Sequence, residues 1–390
     1  MKFININRHN IHYKYLKAPI GGLGVLRTFV FVNSLGTDFR IWDGVIENLR
    51  NHGSILCFDK CGHGLSETSQ NPLTISDYVA DLVALLDALE IEKCIFIGLS
   101  IGGIIGQKMA LIHPERIEKL ILSNTAPKVG SEESWNTRIN IVQNKGISAI
   151  ADTVMKVWFS ENFHQNHGAE LNGYKAMLSN ANPIGYVQAC EALKINDLTN
   201  EISTISIPTL CLAGTEDGST PPAQVKAMAD QIHNAKYVLI EGVGHIPCVE
   251  KPETFAQLIL DFVSENSSSL YQKGMKTRRS VLGDAHVDEA EANKTDFDKD
   301  FQEYITNSAW GAIWSRPHLT KRERSMITIG ILTALGLEEE LAMHIRATQN
   351  TGATQEDVKE VLMHTGVYAG VPRTNGAMKI AKKILSENSN

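Results

Sequence analysis

From residue 26 to residue 240 the chain alternates two patterns. Short apolar runs, rich in β-branched residues and bounded by turn residues, occur at Leu26–Val32, Ser54–Phe58, Lys93–Ile97, Lys119–Ser123, Pro208–Ala213 and Lys236–Ile240. Such runs predict parallel strands covered on both faces. Between them lie stretches with apolar residues three and four apart, as in Ile75–Leu89, with Thr74 placed to cap it. The alternation predicts a doubly wound, mostly parallel α/β sheet. It lapses from about 127 to 200, where only helical periodicity remains. An insertion there belongs over the carboxyl edge of the sheet, where ligands bind, so it reads as a helical cap.

A second change of character follows. Ser264–Gln272 (SENSSSLYQ) is polar and serine-rich, which predicts a flexible linker. Past it the helical pattern dominates, at Phe297–Trp314, Lys321–Leu335, Glu338–Gln349, Gln355–Tyr368 and Asn375–Ser386. The expected organisation is an α/β domain over 1–264, a linker over 265–273 and an all-α domain over 274–390.

Composition narrows the function classes. Of 390 residues 43% are hydrophobic, enough for sizeable cores and against general disorder. The net charge of −7 gives no electrostatic footprint for nucleic acid. The six cysteines are scattered without zinc-like spacing and read as free buried thiols of a reducing compartment. The N-terminus lacks the apolar core of a secretory signal, and the longest nearly uncharged run, Cys94–Gly106, is too short for a membrane helix. A cytoplasmic location is therefore expected.

Gly98-Leu99-Ser100-Ile101-Gly102 stands between a predicted strand and a predicted helix. Glycines on either side allow a sharp turn that projects a serine hydroxyl, while the helix N-terminus offers N–H groups to an oxyanion. A serine nucleophile needs a base, and the base needs an orienting carboxylate. Asp217 and His245 follow later strands, in the order Ser, Asp, His. Glu216 is a rival one residue away, which would point elsewhere. The backbone N–H groups of Leu35 and Ile101 are the expected oxyanion hole. No metal or organic cofactor is needed for this chemistry.

Five segments carry a family likeness: Asn33–Asp43 (NSLGTDFRIWD), Phe58–Ser66 (FDKCGHGLS), Gly98–Gly103 (GLSIGG), Ala213–Pro222 (AGTEDGSTPP) and Glu241–Pro252 (EGVGHIPCVEKP). Over about residues 1–264 the chain resembles the α/β-hydrolases, and among them the 3-oxoadipate enol-lactonases. Lys60-Cys61 departs from the Arg-Gly common there, in a loop expected only to pack. The resemblance implies attack of Ser100 on a lactone carbonyl, with His245 as base. The leaving oxygen departs as an enol, and water releases the acyl-enzyme. The substrate also carries a carboxylate, for which Arg138 beside Trp135 is the candidate, with Ser34 in the binding loop. A solvated Arg138 is equally compatible with the sequence, and Trp158 and Tyr186 suit core packing better than pocket lining.

Gly274–Asp288 (GMKTRRSVLGDAHVD), Trp310–Pro317 (WGAIWSRP), Glu340–Arg346 (ELAMHIR) and Tyr368–Pro372 (YAGVP) resemble the 4-carboxymuconolactone decarboxylases. Peroxidase-type members of that superfamily use CxxC followed by His. Here Leu337 and Glu340 fall at the cysteine positions and His344 is retained, which excludes disulfide chemistry in this part. Glu340 and His344, four residues apart, share a helix face and could form an acid–base pair. Decarboxylation requires that the site stabilise a dienolate and deliver a proton. Two substrate carboxylates favour arginine, for which Arg316, Arg324 and Arg346 are candidates, with His364 behind them.

The two resemblances imply consecutive steps of protocatechuate breakdown, the decarboxylase making the enol-lactone that the hydrolase opens. The competing reading is a carboxylesterase of other specificity with a non-catalytic oligomerisation domain. Small-molecule lactones are the expected partners, with self-association through the C-terminal domain. Trp310, Ile313 and Trp314 could serve that contact or the core.

Overall fold

The computed structural model describes residues 1–18 and 27–387, with 265–269 by backbone alone. It divides into two compact units, Met1–Phe262 and Val263–Asn390.

The first unit is built on an eight-stranded sheet in the order β1-β2-β4-β3-β5-β6-β7-β8. The strands are β1 (Lys2–Ile6), β2 (His9–Leu16), β3 (Thr28–Val32), β4 (Ser54–Phe58), β5 (Cys94–Leu99), β6 (Ile117–Ser123), β7 (Thr209–Gly214) and β8 (Lys236–Ile240). From β4 to β8 every pairing is parallel, while β1–β2 and β2–β4 are antiparallel. The six apolar runs all carry strands; Leu26, where the first was expected to begin, lies outside the described residues. β3, β4, β5 and β7 are buried at every position, which explains their unbroken apolar sequence. The hairpin β1–β2 was not expected. Its residues alternate with polar and charged ones because the edge is largely exposed, and Asn7 and Arg8 turn it with φ of 48° and 74°.

Helices follow the strands: α1 (Asp43–Leu49), α2 (Ile75–Ala88) and α3 (Ile101–Ile112). Thr74 caps α2 in a reciprocal box with Asp77. Between β6 and β7 stand five cap helices: α4 (Glu132–Lys145), α5 (Ala151–Trp158), α6 (Glu161–Asn166), α7 (Gly168–Ser179) and α8 (Pro183–Ile195). α9 (Pro222–Gln231) follows β7, and the short α10 (Pro247–Glu250) follows β8.

Ser264–Gln272 is not irregular. It lies inside α11 (Pro252–Leu282), so the expected linker over 265–273 is corrected to helix. The run holds no proline or glycine before Gly274, and serine and asparagine lower helix propensity only mildly. Flanking turns that bury Phe255, Ile259 and Val281 can propagate through it.

In the second unit α11 is followed by α12 (Asp284–Ala292) and α13 (Lys299–Ile305). A π-helical stretch, Thr306–Trp314, replaces the second half of the helix expected over Phe297–Trp314. Then come α14 (Lys321–Leu335), α15 (Glu338–Arg346), α16 (Thr348–Thr351), α17 (Gln355–Ala369) and α18 (Val371–Glu387). One core cluster joins α14, α15, α17 and α18 around Ile329, Leu341, Ile345 and Leu362; a second gathers Val281, Trp310 and Ala347.

Candidate active sites

The strand-to-helix turn after β5 places Ser100 at φ 58° and ψ −119°, a region that few residues with a side chain adopt. The flanking glycines are required sterically. A Cβ at Gly98 would strike the carbonyl of Gly102, and one at Gly102 would strike that of Val32. The turn is further held by the Ser100 N–H on Ser123 O (3.0 Å) and by Thr125 Oγ1 donating to Ser100 O (2.8 Å).

Asp217 and His245 meet as expected from their strand-end positions. Nδ1 of His245 lies 2.9 and 3.0 Å from the two Asp217 oxygens, and both residues are buried. Four more donors fix the carboxylate: the N–H groups of Ser219 and Thr220, the Thr220 hydroxyl (2.7 Å) and Asn124 Nδ2 (2.9 Å). Burial alone would raise the Asp217 carboxyl, but His245 and these donors hold it below its ordinary value. Asp217 therefore stays ionised and orients the imidazole. Glu216 points elsewhere, accepting the N–H of Glu161. Thr220 and Asn124 were not anticipated. Asn124 sits at φ 48°, a conformation asparagine tolerates, and the short TPP-flanked turn held the signal for Thr220.

Glu250 is a further support that sequence reasoning missed. It accepts from the N–H of Gly244, beside His245, and from the N–H and hydroxyl of Ser160 in the cap. Burial raises its carboxyl against those bonds.

Ser100 and His245 line one narrow cavity of about 30 Å³ with Ser34, Leu35 and Ile101. The cap contributes Trp135, Arg138, Trp158 and Tyr186 to its wall. Trp158 and Tyr186 are thus both buried and pocket-lining, where packing alone had been the better expectation. The Arg138 guanidinium lies 5.4 Å from the Trp135 ring centroid. A larger cleft of about 990 Å³, lined by Arg40, Tyr174 and Met177, contains none of Ser100, Asp217 and His245.

The loop after β4 does more than pack, correcting that expectation. Fully buried Lys60 donates from Nζ to Asn33 O (3.2 Å) and Ser34 O (2.7 Å). Nearby, the ligand atoms of His9, Cys61 and Asp81 fall within 4.8 Å of one another. Burial, aided by Asp81, pushes the Cys61 thiol up to about 12, and its sulfur donates to Glu67 O.

In the second unit His344 is buried beside a pair of indoles, with ring centroids 6.5 Å from Trp310 and 6.0 Å from Trp314 and nearly parallel to both, the indoles themselves lying 5.2 Å apart. Burial, with His286 nearby, pushes its pKa down to about 4, so it is neutral at pH 7. Its Nδ1 is buried with no hydrogen-bond partner. Glu340 lies one turn earlier and is exposed, so it does not satisfy that nitrogen despite the shared face. Arg316 and Arg346 are exposed, and Arg324, half-buried, donates to Arg316 O. His364 is exposed 5.0 Å from Tyr368. The buried arginine of this unit is instead Arg278, which holds Thr306 and Gln302. His286 and Arg278 were inside a recognised segment but not singled out, since neither spacing nor residue type distinguished them.

Comparison with known proteins finds relatives for both units. Residues 27–252 match the alpha/beta hydrolase fold family and residues 299–383 the carboxymuconolactone decarboxylase family. The chain is 34% identical over 226 residues to 3-oxoadipate enol-lactonase 2 of Acinetobacter baylyi, covering 58% of this chain and 84% of that one. It is 43% identical over 122 residues to the 4-carboxymuconolactone decarboxylase of the same organism, covering 31% of this chain and 91% of that one. The crystal structure of an enol-lactonase from Burkholderia xenovorans superposes with a TM-score of 0.65 at 33% identity, covering 67% of this chain and all of that one. All six cysteines are free and buried, and among the described residues no helix is long and apolar enough to cross a membrane. The chain belongs to the alpha/beta hydrolase fold family and, through its second unit, to the carboxymuconolactone decarboxylase family.

Proposed function

We propose that this chain is a bifunctional enzyme of the β-ketoadipate pathway: its second unit decarboxylates 4-carboxymuconolactone, and its first unit hydrolyses the resulting 3-oxoadipate enol-lactone. The observation that carries the reading is the pairing itself. Relatives of two consecutive activities, whose product and substrate coincide, match separate units of one chain. A carboxylesterase with an inert helical domain is not favoured, because His344 is retained in a dry aromatic setting where a spacer would need none.

In the first unit Ser100 attacks the lactone carbonyl and His245 takes its proton, with Asp217 stabilising the imidazolium. The N–H groups of Leu35 and Ile101 receive the oxyanion. Arg138, on the cavity wall beside Trp135, pairs with the substrate carboxylate. The enol then leaves and becomes a ketone, and water, activated by His245, releases the acid.

In the second unit the electrons of the departing carboxylate flow into the unsaturated lactone. His344 is neutral when the site is empty. A dianionic substrate beside it favours the imidazolium, so substrate binding loads the proton that the dienolate later receives. Arginines must meet the two carboxylates; Arg278 is buried, and Arg316, Arg324, Arg346 and His364 lie nearer the surface. Glu340, exposed in the first turn of α15, fits best as a group that faces a partner copy or the substrate's open side.

Self-association belongs to this reading. α14 and α17 pack together and leave Ile327, Ile331, Leu335, Met363, Val367 and Tyr368 exposed, Val367 and Tyr368 by about four-fifths. A face of that character calls for a second copy. The six thiols, all free and buried, suit the cytoplasm. The test is product analysis with the purified chain and each lactone in turn, with loss of either turnover counting against the corresponding half.

A further inference from the structure

The catalytic reading above leaves the buried cation nearest the Ser100 cavity loops, Lys60, unused. Lys60 stands at the carboxyl end of β4 and is fully enclosed, yet its bonds run to two carbonyl oxygens, Asn33 O and Ser34 O. Those carbonyls belong to the loop after β3 that lines the cavity of Ser100. The Ser34 carbonyl and the Leu35 N–H are the two ends of a single peptide unit. In a trans peptide they point in opposite directions, and the chain contains no cis bond among its described residues. A cation pulling on Ser34 O therefore turns the Leu35 N–H the other way, away from Lys60. That N–H has no acceptor within the described chain. Thr37 adds to the same grip, its hydroxyl donating to Ser34 O (3.0 Å), while Asn33 Nδ2 reaches back to Thr37 O.

We propose that Lys60 is a positioning residue of the hydrolase: its ammonium clamps the Ser34–Leu35 peptide from behind, so that the Leu35 N–H is fixed and polarised toward the oxyanion formed on Ser100. The inference rests on Ser100 being the nucleophile and Leu35 an oxyanion donor. A cation on the carbonyl end deepens the peptide dipole, and a pre-set dipole costs no reorganisation as charge develops. Removing the clamp should thus weaken the transition state and leave ground-state binding largely intact.

The charged groups around Lys60 come from three elements. Asp59 precedes it, just after β4, and is engaged by His12 of β2 (2.8 Å) and by the N–H groups of Phe39 and Leu65. Asp38, in the loop after β3, is held by Arg40. Both carboxylates favour the ammonium, but burial outweighs them and brings Lys60 down to about 7. His63, in Lys60's own loop, is held well below its ordinary value by burial and by Lys60 itself, so it adds no competing charge. The ammonium is present below that value and is lost as pH rises through it. A lysine here makes the clamp titratable, as an arginine would not, because a guanidinium does not deprotonate.

The experiment compares the full chain with Lys60→Met and Lys60→Arg, after thermal unfolding has established that each variant folds. Turnover of the enol-lactone and inhibition by a carboxylate-bearing boronic acid, which forms a tetrahedral anion on serine, are followed from pH 5.5 to 9. Lys60→Met should lower kcat about 10- to 100-fold with KM nearly unchanged, and weaken the boronate by a similar factor. Wild-type kcat should fall on the alkaline side with an apparent pKa near 7, and Lys60→Arg should retain activity while losing that fall. Unchanged kcat in folded Lys60→Met, a loss confined to KM, or an alkaline limb that persists in Lys60→Arg would each overturn the clamp. Should Lys60→Met not fold, the Lys60→Arg profile and the pH dependence of boronate binding decide alone. Ser100→Ala run alongside separates the two levels: if it still hydrolyses the lactone, the nucleophile assignment fails; if it is dead and the Lys60 variants behave as wild type, only the clamp fails.

Discussion

The two units solve the same problem, a dry polar site, in opposite ways. In the first, every polar group that orients Asp217 and His245 comes from one chain, and the carboxylate has donors from Asn124, Ser219, Thr220 and His245. In the second, one buried imidazole stands beside a pair of indoles with Nδ1 unpartnered, while its candidate partners are exposed or half-buried. A parallel sheet gathers strand-end loops from distant sequence over one edge, so a site can be finished within the unit. A bundle of short helices has no such edge and little depth. In the function proposed above, its remaining polar partners come from substrate or from a second copy laid on the exposed faces of α14 and α17.

The sharpest way to break the comparison is to remove each site separately. Ser100→Ala should cut enol-lactone hydrolysis by about four orders of magnitude or more and leave decarboxylation unchanged. Steady-state rates on the two lactones read both effects. His344→Ala should do the reverse, lowering decarboxylation on the order of 100- to 1000-fold with hydrolysis intact. A variant that damaged both activities equally would mean the sites are not independent.

A charge on the apolar face tests whether the second site needs a copy of itself. Val367→Glu, on a residue 79% exposed and outside the core cluster, should leave the unit folded. It should lower the sedimentation coefficient and reduce decarboxylation about tenfold or more if association completes the site. Smaller assemblies with full activity would leave the helical unit self-sufficient, and the contrast with the α/β unit would fall.

Within the first unit, Asn124→Ala removes one of the bonds on Asp217. With the other donors retained, the loss should be about 1 kcal/mol, a several-fold drop in kcat. It should appear also as a higher acid-limb pKa, since the Asp217 charge is less well held. The mildest effect concerns stability. His344 has its pKa lowered to about 4 in the fold. The unfolded chain therefore takes up its proton first as pH falls, and stability of the second unit should decline between about 6.5 and 4 and level off below. His344→Gln should flatten that part of the unfolding profile.

The difference between the units also decides what could be read from sequence. The strands β3 to β8, the Ser100 turn and the Asp217–His245 pair were legible because buried parallel strands leave unbroken apolar runs, and catalytic loops sit at their ends. Asn124, Thr220, Glu250 and Lys60 were not, since each acts through a contact between loops that no local spacing records. The edge hairpin β1–β2 was hidden by its exposed, polar face. The helices α14 and α17 were legible from periodicity, almost to the residue. The helical run through Ser264–Gln272 was not, because its composition suits a linker and only the flanking packing makes it helix. Around His344 the sequence supplied the histidine but not its surroundings. The i, i+4 rule put Glu340 on the same side, and it could not tell that one turn of α15 separates solvent from core.

The most direct measurement of the whole account gives the purified chain 4-carboxymuconolactone and follows CO2, enol-lactone and 3-oxoadipate together. Wild-type protein should release equal amounts of CO2 and 3-oxoadipate. Ser100→Ala should release CO2 and stop at the enol-lactone, and His344→Ala should leave the starting lactone essentially untouched. Formation of 3-oxoadipate by Ser100→Ala, or a wild-type chain that leaves the carboxy-lactone intact, would contradict it.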